Sequence, residues 1–286
     1  MENKKNKVLT CQDYTVSNEN FDLILDEKLD MLITSPQPKE DELSKYYESE
    51  AYISHTDASK SLFDKVYQTV KNYTIKQKIK LINSLNSENK TILDIGCGTG
   101  DFLEACKNND WKITGVEPNE GARNLTIKKT EISIHTNIEE ILENDSNKFD
   151  VITMWHVLEH VPNLQEYITS LKNLLRPNGV LIIAVPNYKS YDAVYYGKFW
   201  AAYDVPRHLW HFSQKSINLL FKDFGLELVK TLPMKFDAYY VSLLSEKYKS
   251  GQSNPFKAFY RGFLSNLKAK HNMEYSSLIY FLKNTN

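Results

Sequence analysis

Apolar residues along this chain follow two rhythms. Short, nearly unbroken apolar runs at residues 92–95, 112–116, 149–154 and 180–185 read as strands buried on both faces. Between them apolar positions recur at helical spacing: Phe102, Leu103 and Cys106; then Leu164, Ile168, Leu171 and Leu175. Arg176-Pro-Asn-Gly179 ends that last helix with a proline stop and a glycine able to take positive φ. Residues 132–135 predict a further strand, Ser213 caps a helix over 214–224 that Gly225 closes, and residues 226–230 predict the sixth strand. An insertion at 234–272, with a helix near 256–269, separates these from a final strand over 275–282. Regular alternation of this kind predicts an α/β fold around a parallel sheet.

Upstream, Leu62, Val66, Val70 and Tyr73, then Ile79, Ile82 and Leu85, predict one long amphipathic helix or two shorter ones, with lysines outward. The first 60 residues carry short strands near 8–16 and 21–25, a break at Ser35-Pro-Gln-Pro38, a short helix at 42–47 and a loop at 52–55. The expected organisation is an N-terminal extension over 1–60 and a main domain over 61–286, with lid segments at 188–212 and 234–272.

The chain turns on residues 91–103, T-I-L-D-I-G-C-G-T-G-D-F-L. A buried strand runs into Gly96, Gly98 and Gly100 and then a helix, so free backbone N–H groups gather at a strand's carboxyl end, where nucleotide-like ligands sit in open α/β sheets. Asp101 stands where dinucleotide binders need a third glycine, and an acid there repels pyrophosphate. Asp94 and Asp101 suit a cationic ligand instead. Glu117 closes the next strand about 20 residues past the first glycine, where a carboxylate meets ribose hydroxyls in such folds.

On these residues the stretch resembles motif I of the class I S-adenosylmethionine-dependent methyltransferases. Residues 149–161, F-D-V-I-T-M-W-H-V-L-E-H-V, resemble motif II of the bacterial enzymes akin to ubiquinone-biosynthesis O-methyltransferases. The resemblance implies a Rossmann-like seven-stranded sheet with an antiparallel last strand, and S-adenosylmethionine as cofactor. It implies a cofactor site of Asp94, Gly96, Cys97, Gly98, Gly100, Glu117 and Pro118, with Asn137 and Ile138 at the adenine edge and Trp155 and His156 lining it. His208 and His211 are candidates for a base that takes the acceptor's proton, with His160 a third; each is equally read as holding its loop by hydrogen bonds. Tyr196, Trp200, Tyr203, Arg207 and Trp210 are expected to bind the acceptor beneath a lid, the plain alternative being that the aromatics fill a core. Arg207 is expected either to hold an acidic group of the acceptor or to brace the loop against Asp204. An aromatic lid of this kind would also rest on a membrane surface when open.

His156, Glu159 and His160 invite a metal reading as well, because some quinone O-methyltransferases use a divalent ion near motif II, but no metal is assigned here. The extension resembles a region that carries a small zinc ribbon in a bacterial methyltransferase family. Only Cys11 remains of its ligands, with Asp26 and Asp30 near the lost positions, so a ribbon remnant without zinc is expected.

Composition narrows the partners. The 35 lysines and arginines nearly balance 36 acids, which argues against nucleic acid. Three cysteines without a C-x-x-C pair give no disulfide framework, and no secretory leader or membrane-spanning run is visible, so a cytoplasmic chain is expected. The expected activity is methyl transfer to a small-molecule, lipid or glycan acceptor, at oxygen. An RNA or protein methyltransferase, or a catalytically silent S-adenosylmethionine-binding partner, are the alternatives.

Overall fold

The structure is a computed structural model that describes residues 6–47, 62–85, 87, 89–143 and 148–285. The loop expected at 52–55 lies outside them. Five elements of the central sheet follow the apolar runs: β4 (Thr91–Ile95), β5 (Lys112–Val116), β6 (Phe149–Trp155), β7 (Leu175–Pro186) and β9 (Leu226–Pro233). The sixth, β10 (Ser277–Asn284), inserts between β7 and β9 and is antiparallel to both, while β5, β4, β6 and β7 are mutually parallel. Both faces of the sheet are covered. Ile92, Val151 and Ile182 face one hydrophobic cluster, and their neighbours Leu93, Ile152 and Leu181 face the other.

Six strands form this sheet among the described residues, not the seven expected. The segment at 132–135 contributes a single parallel bridge, His135 to Val116, with hydrogen bonds to Gly115 and Glu117 on either side. Asn137 then turns the chain into a short helical turn (Glu139–Leu142) by accepting from the Glu140 N–H at 3.1 Å, so the ladder stops after one rung. The upstream helix is one piece, α1 (Leu62–Asn83), packed through Ile79 and Ile82; its expected stripe does not hold throughout, since Val66 and Tyr73 are exposed.

A second, antiparallel sheet joins β1 (Lys7–Gln12), β2 (Asn20–Asp26) and β3 (Met31–Ser35) to β8 (Trp210–His211), which comes from the segment after β7. Cys11 lies in its core among Phe21, Leu23, Trp200 and Tyr203, and burial pushes its thiol up to about 12. Asp30 pairs with Lys189 at 2.5 Å and accepts from Ser213 Oγ at 2.7 Å. Packing and these ties hold the extension against the main sheet.

The strongest tie is Arg207, which is buried. Its guanidinium donates to Asp204 at 2.9 and 2.5 Å, to Asp13 at 3.2 Å and to the Tyr46 carbonyl at 3.0 Å. Asp13 also accepts from the Thr15 and Ser17 N–H groups, and although burial opposes ionisation these partners hold its carboxyl near 2. Removing one member of a buried pair strands the others. Arg207→Met should therefore lower the unfolding free energy by about 3–5 kcal/mol, read from urea titration of the full chain; a loss under about 1 kcal/mol would show that Asp13 and Asp204 find other donors.

Candidate functional site

At the carboxyl end of β4 the backbone takes positive φ at Gly96 and Gly98 for different reasons. A Cβ built on Gly96 would meet Val157 Cγ2 at 2.4 Å, so that glycine lets the turn pack against motif II. A Cβ on Gly98 would meet nothing within 4 Å, so this glycine opens onto empty space. Beside that space, Glu117 accepts from the Gly98 N–H at 2.8 Å and the Asn119 N–H at 2.9 Å. Its carboxylate is thus fixed at the tip of β5 facing the turn. Cys97 is buried with Leu103 and Ile134, and Gly100 starts α2 (Asp101–Lys107). Pro118 is exposed beyond Glu117. Of the two adenine-edge candidates, Ile138 is buried in the core and Asn137 is exposed with its side chain engaged by Glu140.

Asp94, one turn of chain before the glycines, is buried and accepts from Thr153 Oγ1 at 2.6 Å. Burial raises its carboxyl to about 7, against the pull of Thr153 and the Lys78 ammonium. Lys78 reaches in from α1 and places its Nζ 3.9 Å from the Trp155 ring centroid, and burial lowers it to about 8. Trp155 Nε1 is buried with no hydrogen-bond partner among the described residues. An unfilled space over Gly98, a poised acid, a fixed carboxylate and an unpartnered indole N–H suit a cationic, hydroxyl-bearing ligand such as S-adenosylmethionine. Asp101 does not belong to this set: it is taken by Lys71 at 2.8 Å and Lys129 at 3.0 Å.

His156 sits at φ +58 at the end of β6 and pairs with Asp237 at 3.0 Å, at the start of α7 (Asp237–Ser250). Burial works against its charge, but Asp237 and Glu159 outweigh it and raise the ring to about 10. Beyond it opens a cavity of about 780 Å³, lined by His156, Glu159, Arg207 and His208 together with Tyr46, Tyr47, Tyr240 and Tyr248. The aromatic wall expected of Tyr196, Trp200, Tyr203 and Trp210 is not there. Tyr196, Trp200 and Tyr203 are buried in the core of the small sheet, with Trp200 Nε1 donating to Asp192 at 2.8 Å. Trp210 donates its Nε1–H to the Val161 carbonyl at 2.7 Å. Of the expected acceptor residues only Arg207 lines the cavity, and its donors are already spent on Asp13, Asp204 and Tyr46.

The three histidines divide by their partners. His211 meets Thr34 Oγ1 at 3.0 Å, and since that hydroxyl donates to the His208 carbonyl, the ring must be the donor; burial pushes it down to about 3, so it is a neutral brace. His208 donates its Nδ1–H to the Ala202 carbonyl at 2.9 Å, which leaves Nε2 as the basic nitrogen, 4.0 Å from Asp204. His160 likewise gives its Nδ1–H to the Arg207 carbonyl at 3.0 Å, and burial lowers it to about 4. Glu159, His160 and His208 bring one donor atom each within 4.8 Å of one another. Among the described residues both oxygens of the buried Glu159 have no hydrogen-bond partner, and His156 forms an ion-pair contact with one of them at 3.4 Å. Such a set fits a divalent ion, although no metal was expected at these residues.

Lys78 and Asp237 were missed because each looks like an ordinary charge on a helix; only the packing of α1 and α7 over the strand ends aims them inward. Those tyrosines of the cavity come from two distant stretches, residues 46–47 and α7, which no local spacing could join.

Residues 67–231 match a family described as a methyltransferase domain. The ubiquinone biosynthesis O-methyltransferase of Actinobacillus pleuropneumoniae is 37% identical over 131 residues, 41% of this chain and 56% of that protein. Its counterpart in Glaesserella parasuis is 31% identical over 137 residues, 44% of this chain and 58% of that one. The chain thus spans a little over half the length of these relatives. Among solved structures, magnesium protoporphyrin IX methyltransferase from Synechocystis, with S-adenosylhomocysteine bound, aligns at a TM-score of 0.53 and 15% identity over 81% of this chain and 91% of that one. A SAM-dependent methyltransferase from Archaeoglobus fulgidus aligns at 0.51 and 18% identity over 78% and 98%. At that identity the likeness is one of fold.

The two glycines should separate by experiment. Gly98→Ala sets a methyl into open space at positive φ, so it should cost about 1–2 kcal/mol of stability and weaken S-adenosylmethionine binding at least about tenfold, a loss of about 1.4 kcal/mol. Gly96→Ala should chiefly destabilise, through its collision with Val157. Calorimetry and thermal unfolding read the two effects, and equal cofactor affinity in Gly98→Ala and wild type would remove Gly98 from the site.

Proposed function

This chain belongs to the methyltransferase-domain family, and on that premise we propose that it moves the methyl group of S-adenosylmethionine to a hydroxyl oxygen of a small amphipathic acceptor, quinone-like, polyketide or sugar-lipid. The observation that carries the reading is the tyrosine-lined cavity of about 780 Å³ that opens beside motif II with His208 on its wall. In this reading residues 6–47 of the extension and the segments 188–212 and 234–272 enclose the acceptor over the transfer domain.

The cofactor supplies an electrophilic methyl on a sulfonium. Gly96, Cys97, Gly98 and Gly100 shape its cradle, Glu117 accepts from ribose hydroxyls, and Asp94 offers negative charge to its cationic end. His208 Nε2 would take the acceptor's hydroxyl proton, and Asp204, 4.0 Å away, would stabilise the resulting imidazolium. Alignment of the two reactants contributes on the order of 7–11 kcal/mol, and the positioned base roughly 10²–10⁴-fold. A second reading is favoured by the buried, hydrogen-bond-free carboxylate of Glu159: with His160 and His208 it would hold a divalent ion that polarises the acceptor oxygen.

His208→Gln should lower turnover about 10²–10⁴-fold while leaving cofactor affinity within about threefold; unchanged turnover with a quinol or catechol acceptor would sink the base assignment. Loss of activity on chelation, restored by a divalent ion, would favour the second reading. Trp200→Ala should act differently, destabilising the chain by about 3–5 kcal/mol as a core deletion.

Asp94 also predicts a pH dependence. Its folded value of about 7 lies above the ordinary 3.8, so the folded chain holds this proton more tightly than the unfolded one. Its burial therefore costs stability above about pH 7, and that cost fades as pH falls toward 4. Cofactor binding needs the opposite form, the carboxylate. Affinity for S-adenosylmethionine should weaken as pH drops from 8 to about 6, by up to about tenfold per unit, and Asp94→Asn should flatten the profile. A flat wild-type profile over that range would overturn the charge pairing.

A further inference from the structure

The helix α8 (Pro255–Asn272) packs in reverse of an ordinary amphipathic helix. It buries its small residues Ala258, Gly262, Ser265 and Ala269, and exposes Phe256, Phe259, Tyr260, Phe263 and Leu267. At 3.6 residues per turn the two sets fall on opposite sides. The inner face is fitted to α7, since a Cβ on Gly262 would meet Tyr239 Cδ1 at 2.8 Å and the Ala238 carbonyl at 2.9 Å. Close approach through small residues turns the large ones outward; among the described residues Phe259 stacks on Tyr239 at 5.0 Å and Arg261 lies 5.6 Å over Tyr260, and the stripe stays exposed. Phe256 is 91% exposed and Phe259 65%, a degree of aromatic exposure that marks an interaction surface when it forms a stripe.

Charge identifies the occupant. No aspartate or glutamate occurs between Glu246 and Glu274, whereas Lys247, Lys249, Lys257, Arg261, Lys268 and Lys270 do. Lys257 is paired with Glu246 at 2.8 Å, and Arg261 and Lys268 lie over Tyr195 and Tyr191 beside the stripe. Lys270 is exposed at its end. A second copy of this chain would bring the same cations face to face across a two-fold interface. An aromatic stripe flanked by lysines and free of acids is instead the composition of a helix that lies in the plane of an anionic bilayer. Among the described residues no helix is long and apolar enough to cross one.

We propose that α8 docks this chain on an anionic lipid surface, with Phe256, Phe259, Phe263 and Leu267 inserted at the headgroup boundary. The helix beneath it, α7, supplies Tyr240, Lys247 and Tyr248 to the cavity, so docking sets that wall beside the bilayer. The docking does not depend on which acceptor is methylated. Co-sedimentation of the full chain with phosphatidylcholine vesicles, with and without phosphatidylglycerol, tests it. Binding should require the anionic lipid and weaken with salt, and the pair Phe256→Ser, Phe263→Ser should lower partitioning at least about tenfold with cofactor binding unchanged. Phe256→Trp, a milder change, should shift its emission to the blue on adding anionic vesicles. Failure of wild type to sediment, equal binding to neutral vesicles, or a wild-type dimer that the double variant dissolves would each overturn the proposal.

Discussion

The guanidinium of Arg207 lies between Asp13 of the extension and Asp204 of the loop after β7, and much of the upper structure hangs on that contact. Neither carboxylate tolerates burial alone, and neither does the cation. Together they fix the loop at 204–211, from which β8 pairs with β3, His211 braces Thr34 and His208 lines the cavity. The extension therefore helps shape the cavity beside motif II, and the small sheet is built jointly from the extension and the segment after β7.

The central sheet was legible because its causes are local. Buried runs such as 180–185 encode their own conformation, and the antiparallel β10 arrived where the resemblance put it, whereas Arg176-Pro-Asn-Gly179 stops the helix at Leu174 without forming the expected turn: it runs on as the start of β7, and Gly179 takes no positive φ. The missing strand at 132–135 was illegible for a physical reason: its residues suit a strand, but the Asn137 side chain accepts from the Glu140 N–H at the next turn and ends the ladder. The aromatics at 196–210 failed in the opposite way. Their composition fits a binding wall and a core equally well, and only the N-terminal sheet, distant in sequence, decides that Trp200 and Tyr203 are enclosed.

The cofactor side and the acceptor side differ in the same respect. One is a strand, a turn and an acid some 20 residues on, so spacing alone describes it. The other is assembled from the extension, motif II, the post-β7 loop and α7, and its specificity resides in placement. Asp101 illustrates the limit of reading residue types: an acid next to the glycines looked suited to a cation, yet two lysines from flanking helices consume it.

The segments 188–212 and 234–272 are tied together by buried acids of a different kind. Asp192 accepts from Trp200 Nε1, Ser265 Oγ and Ser276 Oγ, and Glu246 accepts from Tyr196 and Lys257. These bonds join α5 (Tyr191–Tyr196) to α7 and α8, and most of the donors are neutral hydroxyl or indole groups. A carboxylate satisfied by such donors anchors a segment without the desolvation of a second charge. Because those anchors already hold the inner face of α8, its outer aromatics are not needed to join these helices, and their exposed apolar surface is left to meet something outside the chain.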